Sequence, residues 1–165
     1  FFYDIHKNDT VRSIAWVSAE TENSKPGFFR TDTSSTYRDA MEEMMVHLIN
    51  QTRVAEGLNA LIYTPAYNPI ARKHSADMIA NDYFGHLDLN GDNARNRLNA
   101  GGLNFSYYGE NLAYGQFSPI YAHEALMNSE GHRKNILHAD FTHVLVGVDF
   151  NKAGAPYFTI NFYKE

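Results

Sequence analysis

Val144-Leu145-Val146-Gly147-Val148-Asp149-Phe150, then Asn151-Lys152-Ala153-Gly154, then Tyr157-Phe158-Thr159-Ile160-Asn161-Phe162-Tyr163, is the stretch that decides the fold. The first run is apolar and β-branched and reads as a buried strand. The middle is turn chemistry, and the last run alternates well enough to return as a paired strand. A terminal hairpin of this kind needs a partner layer. The segments before it supply helices, with one more candidate strand near Leu112. Helices first and an antiparallel hairpin last predict an α+β fold, a layered α-β-α sandwich with a central antiparallel sheet.

From Tyr37 to Glu56, Met41, Met44, Met45, Leu48, Ile49 and Thr52 keep the spacing of a buried helical stripe, and Gly57 stands where a helix stops. The methionines are read as core packing. Asn68-Pro69 opens a second helix to about Asp82, with Ile70, Ala71, His74, Met78 and Ile79 on its apolar side. His74 is expected to be a half-buried packing residue and is kept as a second-tier site candidate. Asp92 is expected to cap a short helix through Leu98, closed by Gly101-Gly102. Ser118-Pro119 opens another that runs to about Ser129.

Upstream, Phe1-Phe2-Tyr3-Asp4-Ile5 and Val11 to Val17 flank His6-Lys7-Asn8-Asp9 and read as a β-hairpin. A lone hairpin is marginal in water, so Trp16 is expected to pack it against something. Residues 20–36 read as a linker. The expected division is a hairpin and linker over 1–38 and one domain over 39–165. The chain begins at Phe1, so a signal or anchor is expected upstream.

Composition removes several functions. The net charge is −5, which gives no basic footprint for nucleic acid. There is no cysteine, so thiol catalysis, zinc–thiolate sites and disulfides are excluded. No apolar run reaches the roughly 20 residues of a membrane span. With 11 Tyr and 11 Phe in 165 residues, a tyrosine-lined groove is plausible chemistry.

The chemistry-bearing residues cluster in three short motifs: Tyr83-Phe84-Gly85-His86, Gly109-Glu110-Asn111-Leu112-Ala113, and Ser129-Glu130-Gly131-His132-Arg133-Lys134-Asn135-Ile136-Leu137. Imidazole and carboxylate together can ligate a divalent metal or pass a proton. His86, Glu110 and His132 are therefore expected to converge on one cleft. Asn111, Ser129, Glu124 and His74 form a second tier. His123-Glu124 begins like a zinc-protease signature, but Met127 stands where the second histidine is needed. His123 and Glu124 are instead expected on a solvated helix face. Ser129 is read as a cap or turn residue rather than a nucleophile.

Taken together, residues 41–165 resemble a bacterial member of the CAP superfamily (the SCP-like extracellular domain). The resemblance rests on five pieces in order. They are Leu48 to Arg53 with Gly57-Leu58, Ala71 to Met78 with Tyr83 to His86, Gly109 to Ala113, Asn128 to Leu137, and Val146-Gly147-Val148 with Tyr157 to Phe162. Residues 1–38 resemble the end of an N-terminal domain that accompanies some Gram-positive members. The resemblance implies an α-β-α sandwich with a cleft that carries two histidines and usually two acids, and that binds a divalent metal in some members. His86, Glu110 and His132 take three of those positions. The fourth falls on or near Ser129, with Glu124 the substitute if the helix is shifted.

Three functions are consistent with this. One is an exported or cell-surface domain whose His/Glu cleft binds a cell-envelope ligand or a metal such as zinc, catalysis not being established. Another is a metal-assisted hydrolase, for example a peptidase, with Glu110 as base. The last is an interaction module in which His86 and His132 are internal hydrogen-bond partners.

Overall fold

The structure is a computed structural model and describes residues 2–7, 10–13 and 32–165. Two short strands, β1 (Phe2–Asp4) and β2 (Thr10–Ser13), form the expected antiparallel hairpin, with a 3-10 turn over Ile5–Lys7 between them. Trp16, the rest of the expected return strand and most of the expected linker lie outside the described residues.

The long helix α1 (Ser35–Ala55) starts two residues before the predicted Tyr37. Ser34 caps it, its side chain accepting from the Tyr37 amide. Ser35 and Thr36 thus belong to the helix and not to the linker. A short strand β3 (Ile62–Tyr63) and a 3-10 turn (Pro65–Tyr67) lead into α2 (Asn68–Ala80). Asn68 is the first residue of α2 and not its cap. Its side chain is buried, where it donates to Glu42 and accepts from the Val146 amide. Next come α3 (Ala94–Ala100), β4 (Tyr107–Tyr114), α4 (Pro119–Met127), α5 (Glu130–Ile136), β5 (His143–Phe150) and β6 (Pro156–Lys164). Asn93, one residue after the predicted Asp92, caps α3 in a reciprocal capping box with Asn96.

The main sheet has the order β3-β5-β6-β4. The pairs β5–β6 and β4–β6 are antiparallel, as expected. The exception is β3, which pairs with β5 in parallel. Two residues are too few to show a strand period in the sequence, so this strand and its direction escaped prediction.

Alternation along β5 and β6 divides the core between two faces. Val144, Val146, Val148, Phe158, Ile160 and Phe162 turn to one side and pack with α1, α4 and α5. On the other, Leu145 and Tyr163 meet Ala71 of α2 and Leu98 of α3. Because both faces are covered, β6 is buried along nearly its whole length, which explains a run less clearly alternating than a half-exposed strand.

Two buried polar anchors fix the layers. Glu42 of α1, fully buried, accepts from Arg72 and Asn68 of α2 and from the Val148 amide of β5. Arg53, only 1% exposed, donates to the carbonyls of Asn59, Ile136 and His138 and so ties α1 to the end of α5. At Gly147 strand β5 runs close against α2. A Cβ there would lie 2.0 Å from the Arg72 amide nitrogen and 2.3 Å from the Ala71 carbonyl carbon, both backbone atoms of α2.

Backbone cannot yield as a side chain does. Gly147→Ala is therefore expected to lower stability by about 1–3 kcal/mol, read as a reduced urea midpoint at an unchanged slope. A midpoint equal to wild type would show that α2 is not seated as described.

Candidate functional site

Glu110 lies on β4, the edge strand, in register with Asn161 of β6. Alternation sends Glu110 to the α2/α3 face and Asn111 to the α5 face. This one step in the sequence puts consecutive residues at work on opposite sides of the sheet.

On the first face the Glu110 side chain is only 4% exposed. Arg97 Nη2 donates to both oxygens, at 3.0 and 2.8 Å, and Asn161 donates to Oε2 at 2.9 Å. His86 Nδ1 is 2.9 Å from Oε1. A carboxylate can only accept, so this nitrogen carries the proton and Nε2 is left to face outward. Burial alone would push the Glu110 carboxyl up. The His86 hydrogen bond together with the charge and hydrogen bonds of Arg97 and Asn161 outweighs it and holds the group below its ordinary value.

The loop that carries His86 is pinned at several points. After α2, Asp82 adopts a left-handed φ of 52°, and the Tyr83 amide returns to the Met78 carbonyl at 3.1 Å. His74 Nε2 meets the Gly85 carbonyl at 3.0 Å, and Arg97 Nη1 donates to the His86 carbonyl at 3.1 Å. His74 is more buried than predicted, at 1% exposure. It holds the residue before His86 through the Gly85 carbonyl. Burial, with the Arg97 charge next, lowers its pKa, so the ring is neutral.

On the second face Asn111, fully buried, donates to the His132 carbonyl at 3.0 Å. Asn135 donates to Asn111 Oδ1 and to the Glu110 carbonyl, binding α5 to the edge strand. His132 Nδ1 is 2.8 Å from the Ser129 hydroxyl. Ser129 occupies the cap position of α5 as predicted, yet its side chain makes no cap bond and turns to the imidazole instead. Burial and the nearby His86 charge lower the His132 pKa.

One expectation needs correction. His123 and Glu124 do not lie on a solvated face; they are 2% and 6% exposed. Helix α4 packs against α1 and the sheet, which leaves it little free surface. His123 Nε2 there meets the Thr52 hydroxyl of α1 at 3.1 Å, and Glu124 is 3.6 Å from His123 Nδ1. Among the described residues no group of three or more His, Asp or Glu side chains is placed to hold a metal ion. Arg97 takes up the carboxylate. Its guanidinium pairs with Glu110, and His86 places Nδ1 on the same carboxylate.

Arg97, Asn135 and Asn161 were not foreseen. Asn161 left a signal: an amide inside an apolar strand must find a buried partner. Arg97 left none, because its helix is short and its target is brought to it by the fold.

Beside His86 is an apolar rim. Phe84 is 51% and Tyr114 45% exposed. Their rings are 6.0 Å apart, and each also packs on Tyr157. Leu87 and Leu89 extend the exposed surface.

With this geometry in place, the family model for cysteine-rich secretory proteins (CAP) matches residues 46–162. The chain belongs to the CAP family. Its relatives include the uncharacterized proteins YkwD and YlbC of Bacillus subtilis. YkwD is 37% identical over 140 residues, 85% of this chain and 52% of its own length. YlbC, described as a membrane protein, is 39% identical over 124 residues, 75% of this chain and 34% of its own. A crystal structure of an extracellular protein with an SCP domain from Bacillus anthracis superposes with a TM-score of 0.70 at 30% identity, covering 78% of this chain and 41% of that one. This CAP chain thus spans about half or less of each of these relatives. The sandwich and the bacterial CAP resemblance expected from the motifs are both found.

The lowered Glu110 carboxyl has a consequence for acid stability. A depressed native pKa adds stability above the unfolded value of about 4.3. That stability is lost as pH falls through the native value. The wild type is expected to weaken more steeply than Glu110→Gln below about pH 4.5, measured as urea midpoints across pH 3 to 7. Parallel curves would contradict the pairing.

Proposed function

We propose that this CAP chain is a binding module that works outside the cytoplasm, with His86 and His132 presenting its cleft to a cell-envelope ligand. One observation carries this reading: Glu110 is already bonded to Arg97, Asn161 and His86, so the cleft offers imidazoles and not a carboxylate. A carboxylate with a lowered pKa beside a guanidinium is a poor general base, which argues against the hydrolase. It is also a poor ligand for a second cation, which argues against the zinc site.

The His86 side chain is 58% exposed, and Phe84 and Tyr114, two exposed rings tilted against each other, form an apolar rim beside it. Imidazoles that exchange hydrogen bonds next to exposed aromatic faces suit a ligand rich in hydroxyls, such as a wall glycan. The extracellular description of the Bacillus anthracis relative supports the location. No helix among the described residues is long and apolar enough to cross a membrane.

The test is co-sedimentation with purified Gram-positive peptidoglycan, together with zinc calorimetry. Wild type is expected to pellet with the wall. His86→Ala with His132→Ala is expected to lose roughly tenfold or more in affinity, on the scale of two hydrogen bonds, with unchanged circular dichroism. Wild type left in the supernatant would refute the glycan reading. Zinc heat that disappears in the double variant would replace it with the metal reading.

A further inference from the structure

The N-terminal hairpin is bonded to the sandwich at one place. Asp4 of β1 is only 2% exposed, and both its oxygens accept from Arg133 Nη1 of α5, at 3.1 and 2.9 Å. Its Oδ1 also accepts from the His6 amide at 3.0 Å. The Ile5 amide donates to Asn128 Oδ1, just after α4, at 3.0 Å. Lys7 reaches Glu56 at the end of α1, a solvent-exposed pair that adds little.

The two inner bonds bracket Ser129 and His132. Asn128 and Arg133 stand on either side of that pair, whose side chains meet at 2.8 Å. Helix α5 has seven residues, too few to hold a direction by its own hydrogen bonds. Its C-terminal half is attached to the edge strand by Asn135 and to α1 by Arg53. Its N-terminus has no side-chain cap, because the Ser129 hydroxyl faces the imidazole. Besides Asn111 on the His132 carbonyl, Arg133 holds that end, spanning from the Met127 carbonyl at 3.2 Å to Asp4.

The dependence runs both ways. Strands of three and four residues make a hairpin that is marginal in water. Among the described residues, neither of the two larger core clusters takes a member from it. A buried carboxylate parted from its guanidinium is strongly destabilising, so the Asp4–Arg133 pair favours one seating of the hairpin.

We propose that the hairpin is a clasp on the α4–α5 junction, and that Asp4 is a positioning residue that sets, through Arg133, how α5 presents Ser129 and His132 to the cleft. With the hairpin undocked, α5 loses the Arg133 anchor and the His132 ring is less well directed. The inference rests on the reading of His132 as a binding group. It makes hairpin docking and ligand binding linked equilibria, each strengthening the other by the same factor.

The experiment is NMR of the full chain, wild type against Asp4→Asn, with and without soluble muropeptides released from Gram-positive peptidoglycan. The readouts are hydrogen exchange of the Ile5 amide and the signals of the histidine ring nitrogens. Asp4→Asn keeps the shape of the side chain and removes its charge. It is expected to speed Ile5 exchange roughly tenfold or more, the scale of one charged hydrogen bond. It should shift the His132 ring signals while those of His86 and the β5–β6 amides stay in place, which also shows that the sandwich is folded. Muropeptide binding should weaken roughly fivefold, the lower end of coupling between sites. Arg133→Met should give the same changes, and the double variant no more than either alone. In wild type, muropeptides should slow Ile5 exchange. His132 signals that stay unchanged once the hairpin has opened would overturn the proposal, leaving a mere attachment. So would an Ile5 amide as protected in Asp4→Asn as in wild type. Wild type that binds no muropeptide, yet shows the His132 shift on Asp4→Asn, would refute the cleft reading and uphold the positioning.

Discussion

A carboxylate removed from water must be given back its hydrogen bonds and its counter-charge. Glu110 is the place where this chain meets that demand. Arg97 brings the charge, Asn161 fills a lone pair from the neighbouring strand, and His86 takes the remaining direction. Each comes from a separate element, so the requirement of one buried side chain fixes how α3, β6 and the loop after α2 are arranged. Removal of Arg97 alone would leave an uncompensated charge, a penalty on the order of 3–5 kcal/mol. The imidazole at the surface is the visible end of an assembly whose larger part is internal.

The same economy appears on the opposite face. Asn111 bonds to the backbone of His132 and to Asn135, so α5 is attached to the edge strand by amides rather than by apolar packing alone. Edge strands are exposed to unwanted pairing. Here helices on each side and side-chain amides along the strand cover that edge. The two histidines are therefore held on loops and a short helix while their supports are rigid. That pattern gives surface groups a defined direction and still leaves their outer nitrogens accessible.

Much of this was legible in the sequence. The helical stripe of α1, the Ser118-Pro119 start of α4 and the β5–β6 hairpin follow from period and turn chemistry, because each signal is local. The bonded pair His86–Glu110 and the buried Asn111 both fall in the short motifs that stand out in the sequence. What failed did so for reasons of distance. Arg97 is thirteen positions from Glu110 and its role exists only after folding. His123 and Glu124 have the polarity of a surface face, but α4 is enclosed by α1 and the sheet, and no pattern inside nine residues can report what covers them. The parallel pairing of β3 depends on a two-residue strand finding β5 across the chain.

Gly147 has an effect that reaches well beyond its own contact. With only a hydrogen on its α-carbon, β5 lets the backbone of α2 rest almost against it, and Ser75 of that helix bonds to the Gly147 carbonyl at 3.0 Å. The close approach and this bond together fix the spacing between the helix and the strand. His74 is the neighbouring residue on α2 and grips the loop ahead of His86. A missing methyl group on the strand thus bears, through α2 and His74, on the loop that carries an imidazole.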